Sequence, residues 1–428
     1  MLLKVFGYIT TAVTVLSLYR FVFVLIGFFS KSKIFPPANT QKKYGIIISA
    51  RNESAVIGNL LDSIKEQDYD LSYITVFVVA DNCNDNTADI CRERGAVVYE
   101  RYDSHHARKG YALEYLFDKI DNDYGINNFD CFIFFDADNL LCKNFISEIN
   151  KAMSTDTDIC IGYRNTKNFS QNIISASYGI HFMRSSFFLH RPRSLLRMST
   201  HIAGTGWAVK SSLLRNGWHC TYLTEDTQFT MDSIINGKKI EFCEAAEFYD
   251  EQPHEIQVAV RQRIRWIKGR LACFISAAPR LLSGIFQPGK PHLSCYDMFM
   301  YLFPAGLFSF FCVTLPTAAE TLRSIISGNT AEETLLNIAG TAVTALAAYW
   351  IFSVVTGALV LLREHHHIQC SVLKQIFFLI FWPWYDFIEL PLGIISLFIH
   401  VKWKPIKHDY SVSLQDIEKK NIAAAGKK

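Results

Sequence analysis

The chain has 428 residues, a net charge of only +3, 50% hydrophobic residues and 19% charged residues. That length allows two domains, or one domain with a membrane part. The weak charge, without an arginine-rich tail or basic block, excludes a binder that tracks nucleic-acid phosphates. The 11 cysteines form no Cys-x-x-Cys pair and no zinc spacing, as expected of reduced, buried thiols.

Residues 2–30 are mostly apolar and long enough for a span of about 20 residues, and lack the small-x-small site of a signal peptide. Lys31, Lys33, Lys42 and Lys43 follow, which places the C-terminal end of that span in the cytosol. Arg20 inside it either snorkels or marks a break. Residues 44–253 read as alternating strands and helices. Apolar runs at 45–50, 74–80, 96–99 and 131–135 have the pattern of buried parallel strands, and 55–67, 86–94 and 108–120 have helical character. Such alternation implies a largely parallel sheet with ligands at the carboxyl ends of its strands. Glu53, Asp81 and Asp136 all fall at such ends.

The pair Asp136 and Asp138, at i and i+2 after a buried strand, has hard oxygens suited to a shared Mg2+ or Mn2+, or to a cation and a ribose. The run from Asp81 to Asn86 fails as a calcium loop, because Cys83, Asn86 and Arg92 stand where an acid, the turn glycine and the closing glutamate belong. Thr224-Glu225-Asp226 precedes a helix at 229–235. It reads either as an acidic helix start or as a site where one acid takes a proton from an attacking hydroxyl. Residues 256–275 form an amphipathic helix with an apolar stripe of Ile256, Val260, Ile264, Ile267, Leu271 and Phe274, and a basic flank of Arg261, Arg265 and Lys268. Interfacial packing accounts for the stripe but not for Gln262 or Trp266. An arginine there can grip a diphosphate, and the indole offers a face to a sugar ring.

Two further spans are expected at 293–318 and 336–362, joined by a loop with Glu320, Glu332 and Glu333 against one Arg323, which suits the outer side. The run His365 to His367 then returns to the cytosol and reads as interfacial rather than metal-binding. Residues 372–400 are interrupted by Pro383, Asp386, Glu389 and Pro391, while the lysines beyond argue for a cytosolic tail. A broken, re-entrant or hairpin element reconciles the two. Residues 403–408 are either a basic membrane anchor or a gating loop.

The ordered set Ala50-Arg51-Asn52-Glu53, Asp81, Lys109-Gly110, Asp136-Ala137-Asp138, Gly204-Thr205-Gly206, Thr224-Glu225-Asp226 and Gln262-x-x-Arg265-Trp266 resembles family-2 membrane glycosyltransferases, the group of cellulose, hyaluronan and poly-N-acetylglucosamine synthases. The resemblance implies an α/β GT-A fold, Rossmann-like with a mostly parallel sheet, flanked by interface helices and transmembrane helices. It implies that Asp81 binds uracil, that Asn52 and Glu53 line the nucleotide pocket, and that Lys109 and Arg265 contact the diphosphate. Asp136 then sits by the nucleotide and Asp138 ligates the metal. Asp226 is the implied base, and Glu225, Gln262 and Trp266 border the acceptor. Residues 403–408 are loosely similar to the gating loop of hyaluronan-type synthases, from which Pro405 and Ile406 depart.

The organisation expected is a membrane helix at 1–30, a cytosolic transferase domain at 31–254, interface helices at 255–290, a membrane region at 291–400 and a basic tail at 401–428. The function expected is inverting transfer from a UDP-sugar with a divalent metal, in a multi-pass protein of a bacterial plasma membrane. The product is a polysaccharide, made and exported alone or with accessory partners. The alternatives are transfer of one sugar to a lipid acceptor, or a non-enzymatic membrane protein with a dead transferase domain. No nucleophilic Ser or Cys constellation, P-loop or nucleic-acid partner is expected.

Overall fold

Apolar runs bounded by turn residues make the sheet. In the computed structural model, residues 2–327, 331–365, 367–368, 370–401, 404–417 and 419 are described. The strands are β1 (Tyr44–Ala50), β2 (Ile74–Asp81), β3 (Val97–Arg101), β4 (Cys131–Asp136), β5 (Leu140–Leu141), β6 (Ile159–Thr166), β7 (Trp207–Lys210) and β8 (Ile240–Asp250). Their order is β3-β2-β1-β4-β7-β6-β8-β5. The pairs β1–β2, β1–β4, β2–β3 and β6–β8 are parallel, whereas β7 runs antiparallel between β4 and β6, and β5 antiparallel to β8. Parallel pairing predominates as expected, but the sheet is mixed. The reversal at β7 follows the Gly204-Thr205-Gly206 turn, whose glycines adopt φ of 86° and 69°.

The helices are α1 (Leu2–Ser17), α2 (Tyr19–Phe29), α3 (Ile57–Lys65), α4 (Thr87–Glu93), α5 (Lys109–Asp123), α6 (Phe145–Met153), α7 (Ile173–Ser185), α8 (Arg191–Leu195) and α9 (Glu225–Ile235), then α10 (Ile256–Phe286), α11 (His292–Leu302), α12 (Ala305–Ile326), α13 (Ala331–Glu364), α14 (Val372–Phe381), α15 (Pro383–Phe387) and α16 (Glu389–Phe398). One sheet face packs on α5, α9, α10 and α11 through Phe117, Phe132, Trp207, Trp218 and Met298. Phe134 stacks on Trp207 at 4.0 Å. The other face packs on α3 and α6 through Leu60, Ile64, Ile146 and Ile149.

Register brings the strand ends level. Ser49 pairs with Asp136 and Ala50 with Ala80, so Glu53, Asp81 and Asp136 leave the sheet along one edge. A bulge between Gly162 and Tyr163 shifts β8 so that Asp250 ends opposite Thr166.

Four helical runs are long and apolar enough to cross a membrane: Val5–Phe29, Ala305–Arg323, Ala342–Glu364 and Val372–Phe398. The second begins later than expected. Pro304 ends the preceding helix, and α11 packs against the sheet domain, burying Cys295, Asp297, Met298 and Leu302. Arg20 marks a break, since α1 ends at Ser17 and the guanidinium donates to Met300 O at 2.9 Å. The segment beyond Val372 is a broken helix and not a hairpin, because Trp382 and Ile388 keep right-handed helical backbone at its joints. Its acids are counter-ions: Asp386 pairs with Arg184, and Glu389 with Arg270 and, at 3.6 Å, with Arg263. The run is tied to the domain near both ends, by Lys374 Nζ on Ser170 O at 2.6 Å and Lys268 Nζ on Ser396 O at 2.7 Å. His367 docks on Glu247 at 3.0 Å and stacks on Tyr163. The side chains of Glu320, Glu332 and Glu333, and residues His366, Lys402, Trp403, Lys420 and 421–428, lie outside the description.

Candidate active site

A cleft of about 290 Å3 opens at the carboxyl edge of the sheet and runs to α15 and α16. Asp81, Glu53, Lys109, Asp136, Asp138, Glu225, Asp226, Gln262, Arg265 and Trp266 all line it. Asn52 does not. Its backbone sits at φ 58°, and its side chain accepts the Asn84 amide at 2.9 Å, holding the turn after β2.

At the sheet edge, α5 starts at Lys109, and its first turn lies so close to Cys220 O that a Cβ on Gly110 would meet that oxygen at 2.3 Å. Lys109 Nζ donates to Asp136 Oδ1 at 2.5 Å and to Gly204 O at 3.1 Å, and lies 3.9 Å from Glu225 Oε1. The Asp136 amide in turn donates to Thr205 Oγ1 at 2.9 Å and Asn139 Oδ1 at 3.1 Å. Asp81 is buried against Arg101 at 2.6 Å, and burial pushes its carboxyl up against the pull of that arginine.

Glu225 and Asp226 occupy the first turn of α9. Asp226 Oδ1 accepts the Thr227 amide at 2.7 Å, and Oδ2 lies 3.8 Å from where a Cβ on Gly204 would stand. Burial raises Glu225 to about 7, against the pull of Lys109 and with a push from Asp226. Burial raises Asp226 as well, opposed by the Thr227 amide and Lys109. These are groups held ready to take a proton. Helix α10 passes so close to α9 that a Cβ at Gly269 would meet Thr224 at 2.5 Å. This contact sets Arg265 Nη1 on Leu223 O at 3.0 Å. The buried residues of α10 include Ala259, Arg263, Ile267, Cys273, Ala277 and Leu281, so of the expected apolar stripe only Ile267 is fully buried, and the C-terminal half of the helix joins the core under the sheet.

The tail supplies further residues, from the segment read in sequence as either a membrane anchor or a gating loop. Lys404, Pro405, Ile406 and His408 line the cleft. His408 Nδ1 lies 3.0 Å from Glu53, and the Asp409 and Tyr410 amides donate to Glu251 at 3.3 and 3.2 Å. Leu414 and Ile417 anchor this strap on Leu140 and Tyr249. Burial opposes protonation of His408, but Asp138, Glu53 and Glu251 push it up to about 10. Burial likewise works to raise Asp138, yet His408, Lys167 and the Glu251 amide, 2.6 Å from Oδ2, hold it below the usual carboxylate range. Glu251, His254 and Asp409 bring three possible ligand atoms within 4.8 Å of one another beside it. The only cue in sequence was Asp250-Glu251 at the end of a long strand. At the far end the cleft is walled by His181, His201, Arg263, Arg270, Tyr301, Tyr385 and Glu389.

Comparisons with known proteins agree with this geometry. The probable glycosyltransferase YdaM of Bacillus subtilis (strain 168) is 24% identical over 381 residues, covering 86% of this chain and 85% of that protein. The solved structure of the mannosyltransferase PcManGT from Pyrobaculum calidifontis, in complex with GDP-Man and Mn2+, matches with a TM-score of 0.59 at 15% identity, over 93% of this chain and 99% of that one. S. aureus TarS 1-349 in complex with UDP-GlcNAc is a looser likeness, with a TM-score of 0.42 at 14% identity over 64% of this chain and 76% of that one. The expected GT-A fold therefore stands. Residues 131–381, more than half of the chain, match the family described as glycosyl transferase family group 2, and the chain belongs to that family of glycosyltransferases.

Proposed function

We propose that this glycosyltransferase uses a UDP-sugar and extends a carbohydrate chain by direct displacement with inversion. The observation that carries the reading is the convergence, in one cleft, of a buried carboxylate, Asp226, with Lys109, Asp136 and Arg265 on one side and a polar, aromatic end on the other. In this reading Asp226 takes the acceptor proton as the acceptor oxygen attacks the anomeric carbon. Lys109 and Arg265 hold the diphosphate and offset the charge that develops on it. Asp81 meets the base, Glu53 walls the nucleotide, and Asn52 acts by fixing the turn that carries them. Glu225, Gln262 and Trp266 border the acceptor; Gln262 Oε1 is buried without a partner among the described residues, ready for a hydroxyl.

The carboxylates of Asp136 and Asp138, with Glu251 adjoining, are hard oxygen donors that fit Mg2+ or Mn2+. When bound, such a cation supplies charge neutralisation for the leaving diphosphate. The strap 404–417 closes the nucleotide side, which supports the gating reading over a mere anchor.

Sugar acceptors suit the far end because its charges are paired, as in Arg270 with Glu389, and its surfaces are aromatic. A glycolipid acceptor is the second reading, favoured by Ile275, Phe286 and Leu293, which are 77%, 81% and 67% exposed on α10 and α11 and suit a lipid surface. In this reading the division stands at residues 30, 254 and 400, and the boundary expected at 290 moves to Ala305, because α11 belongs with the domain and the span begins after it. The domain and tail share one side, and the lysines after the first span assign it to the cytosol, with a bacterial plasma membrane favoured by resemblance. Purified protein with Mn2+ or Mg2+, radiolabelled UDP-sugars and GDP-mannose, with product sizing, tests this. High-mass, glycosidase-sensitive product from one UDP-sugar supports it. A single organic-extractable glycolipid supports the second reading, and use of GDP-mannose alone overturns the donor assignment.

A further inference from the structure

The far end of the cleft holds a histidine that the reaction above does not use. His201 lines the cleft three residues before Gly204 and is 6% exposed. Its Nδ1 lies 2.8 Å from Arg193 Nη1. A guanidinium has only donors, so Nδ1 accepts and the ring proton sits on Nε2. Arg193 has no freedom to turn away. Its Nε and Nη2 donate to Asp297 at 2.6 and 3.2 Å, and Asp297 also accepts the Tyr19 hydroxyl at 2.7 Å. The Arg193 and Asp297 side chains are 1% and 0% exposed. Burial, with the charges of His190 and Arg193, keeps the His201 ring neutral well below its ordinary pKa.

The ring lies almost flat on Tyr301, with centroids 4.4 Å apart and planes at 27°. Tyr301 is within electrostatic reach of Asp226 and Arg270. Neither His201 Nε2 nor the Tyr301 hydroxyl has a hydrogen-bond partner among the described residues. A tautomer locked at such depth, with its remaining edge on a cleft, is a positioned donor and not a filler of the core.

We propose that His201 Nε2–H, with Tyr301 beside it, binds the acceptor by donating a hydrogen bond to an oxygen of its terminal sugar ring. The reading rests on the transferase function above and deepens it. The group can only donate, so its partner is an accepting oxygen next to the attacking hydroxyl, which itself gives its proton to Asp226. The Arg193–Asp297–Tyr19 relay fixes the donor and joins it to α2, so acceptor binding depends on the seating of the first membrane helix.

The test uses the full chain in detergent with UDP-glucose and UDP-N-acetylglucosamine. Cellobiose and N,N′-diacetylchitobiose are the free-glycan probes, and vesicles carrying glucosyl diacylglycerol are the lipid-borne probe. Donor and acceptor KM are read for wild type, His201→Phe and His201→Gln. Phenylalanine keeps the ring on Tyr301 and deletes Nε2–H; glutamine keeps an acceptor for Arg193 and a donor for the cleft. The expected result is an acceptor KM raised about 10-fold by phenylalanine, a donor KM changed less than about twofold, and recovery with glutamine to within about threefold. The probe that shows this split names the source of the ring. An unmoved acceptor KM in His201→Phe overturns the proposal, as does an equal rise of both constants with a lowered Tm. If wild type releases no UDP with any probe, from these donors or from any other UDP-sugar, the UDP-sugar reading above fails and this inference falls with it.

Discussion

The Arg193–Asp297 pair is buried completely, which makes its removal informative. Asp297→Leu leaves a guanidinium without its counter-ion at a site where the side chains are 1% and 0% exposed. Breaking one side of such a pair costs about 3–5 kcal/mol. Loss of the Tyr19 hydroxyl bond at 2.7 Å adds about 1 kcal/mol. Arg193→Met leaves the carboxylate stranded and costs a similar amount. The double variant strands neither charge. It loses only the bonds to the Tyr19 hydroxyl and the His201 ring, leaving those two neutral groups without partners, about 2 kcal/mol together. Since each single variant loses about 4 kcal/mol or more, the coupling between the two sites is about 6 kcal/mol or more. A multi-part membrane protein does not unfold in two states, so the readout is the order of Tm values in detergent, followed by tryptophan fluorescence. Wild type should be highest, the double variant next and both single variants lowest, by about 5 °C or more below wild type. An Asp297→Leu protein within about 1 °C of wild type, or a double variant below both singles, shows that the pair is not held as described.

Three further outcomes follow from the site. Asp226→Asn keeps an oxygen for the Thr227 amide, so UDP affinity by calorimetry should stay within about twofold while kcat falls by about 10²–10⁴; a variant with near-wild-type kcat removes Asp226 from the role of base. Glu225 is raised from 4.5 to about 7, so the folded state holds its proton more tightly than the unfolded chain does. Its stabilising contribution, on the order of 3 kcal/mol, is complete below pH 4.5 and lost as pH rises toward 7. The Tm difference between wild type and Glu225→Gln should change over that window, and a pH-independent difference counts against it. Gly206→Ala forces φ 69° on a residue with a side chain and puts its Cβ 2.0 Å from Phe248, so it should cost on the order of 2 kcal/mol or more and disturb Thr205 beneath Asp136. Unchanged Tm and turnover there are the opposing result.

The parallel half of the sheet was legible because β1, β2 and β4 are mostly apolar runs with an acid at or within three residues of their carboxyl ends. Strand β7 was not, since it has four residues and takes its direction from two left-handed glycines rather than from any periodicity. The acids and the basic helix were legible for the same reason as the strands: each sits at a fixed offset from a buried element. His201 and Tyr301 were invisible because each is an isolated residue whose place depends on tertiary folding, and His408 was legible only through the loose likeness of 403–408 to a gating loop. His408 reaches Glu53 from 355 positions away. Asp386 and Glu389 looked like flaws in a membrane segment. They are the partners of Arg184, Arg263 and Arg270, and periodicity along one segment cannot show a counter-ion on another.

The most direct test of the whole reading is nucleoside diphosphate release. Wild type and Asp226→Asn, purified in detergent with Mn2+, are given each UDP-sugar and GDP-mannose, and UDP or GDP is measured alongside sugar incorporated. One UDP-sugar should yield UDP in step with incorporated sugar in wild type, and almost none in Asp226→Asn. Equal release by both proteins, or no UDP from any donor, would contradict a UDP-sugar transferase that uses Asp226 as its base.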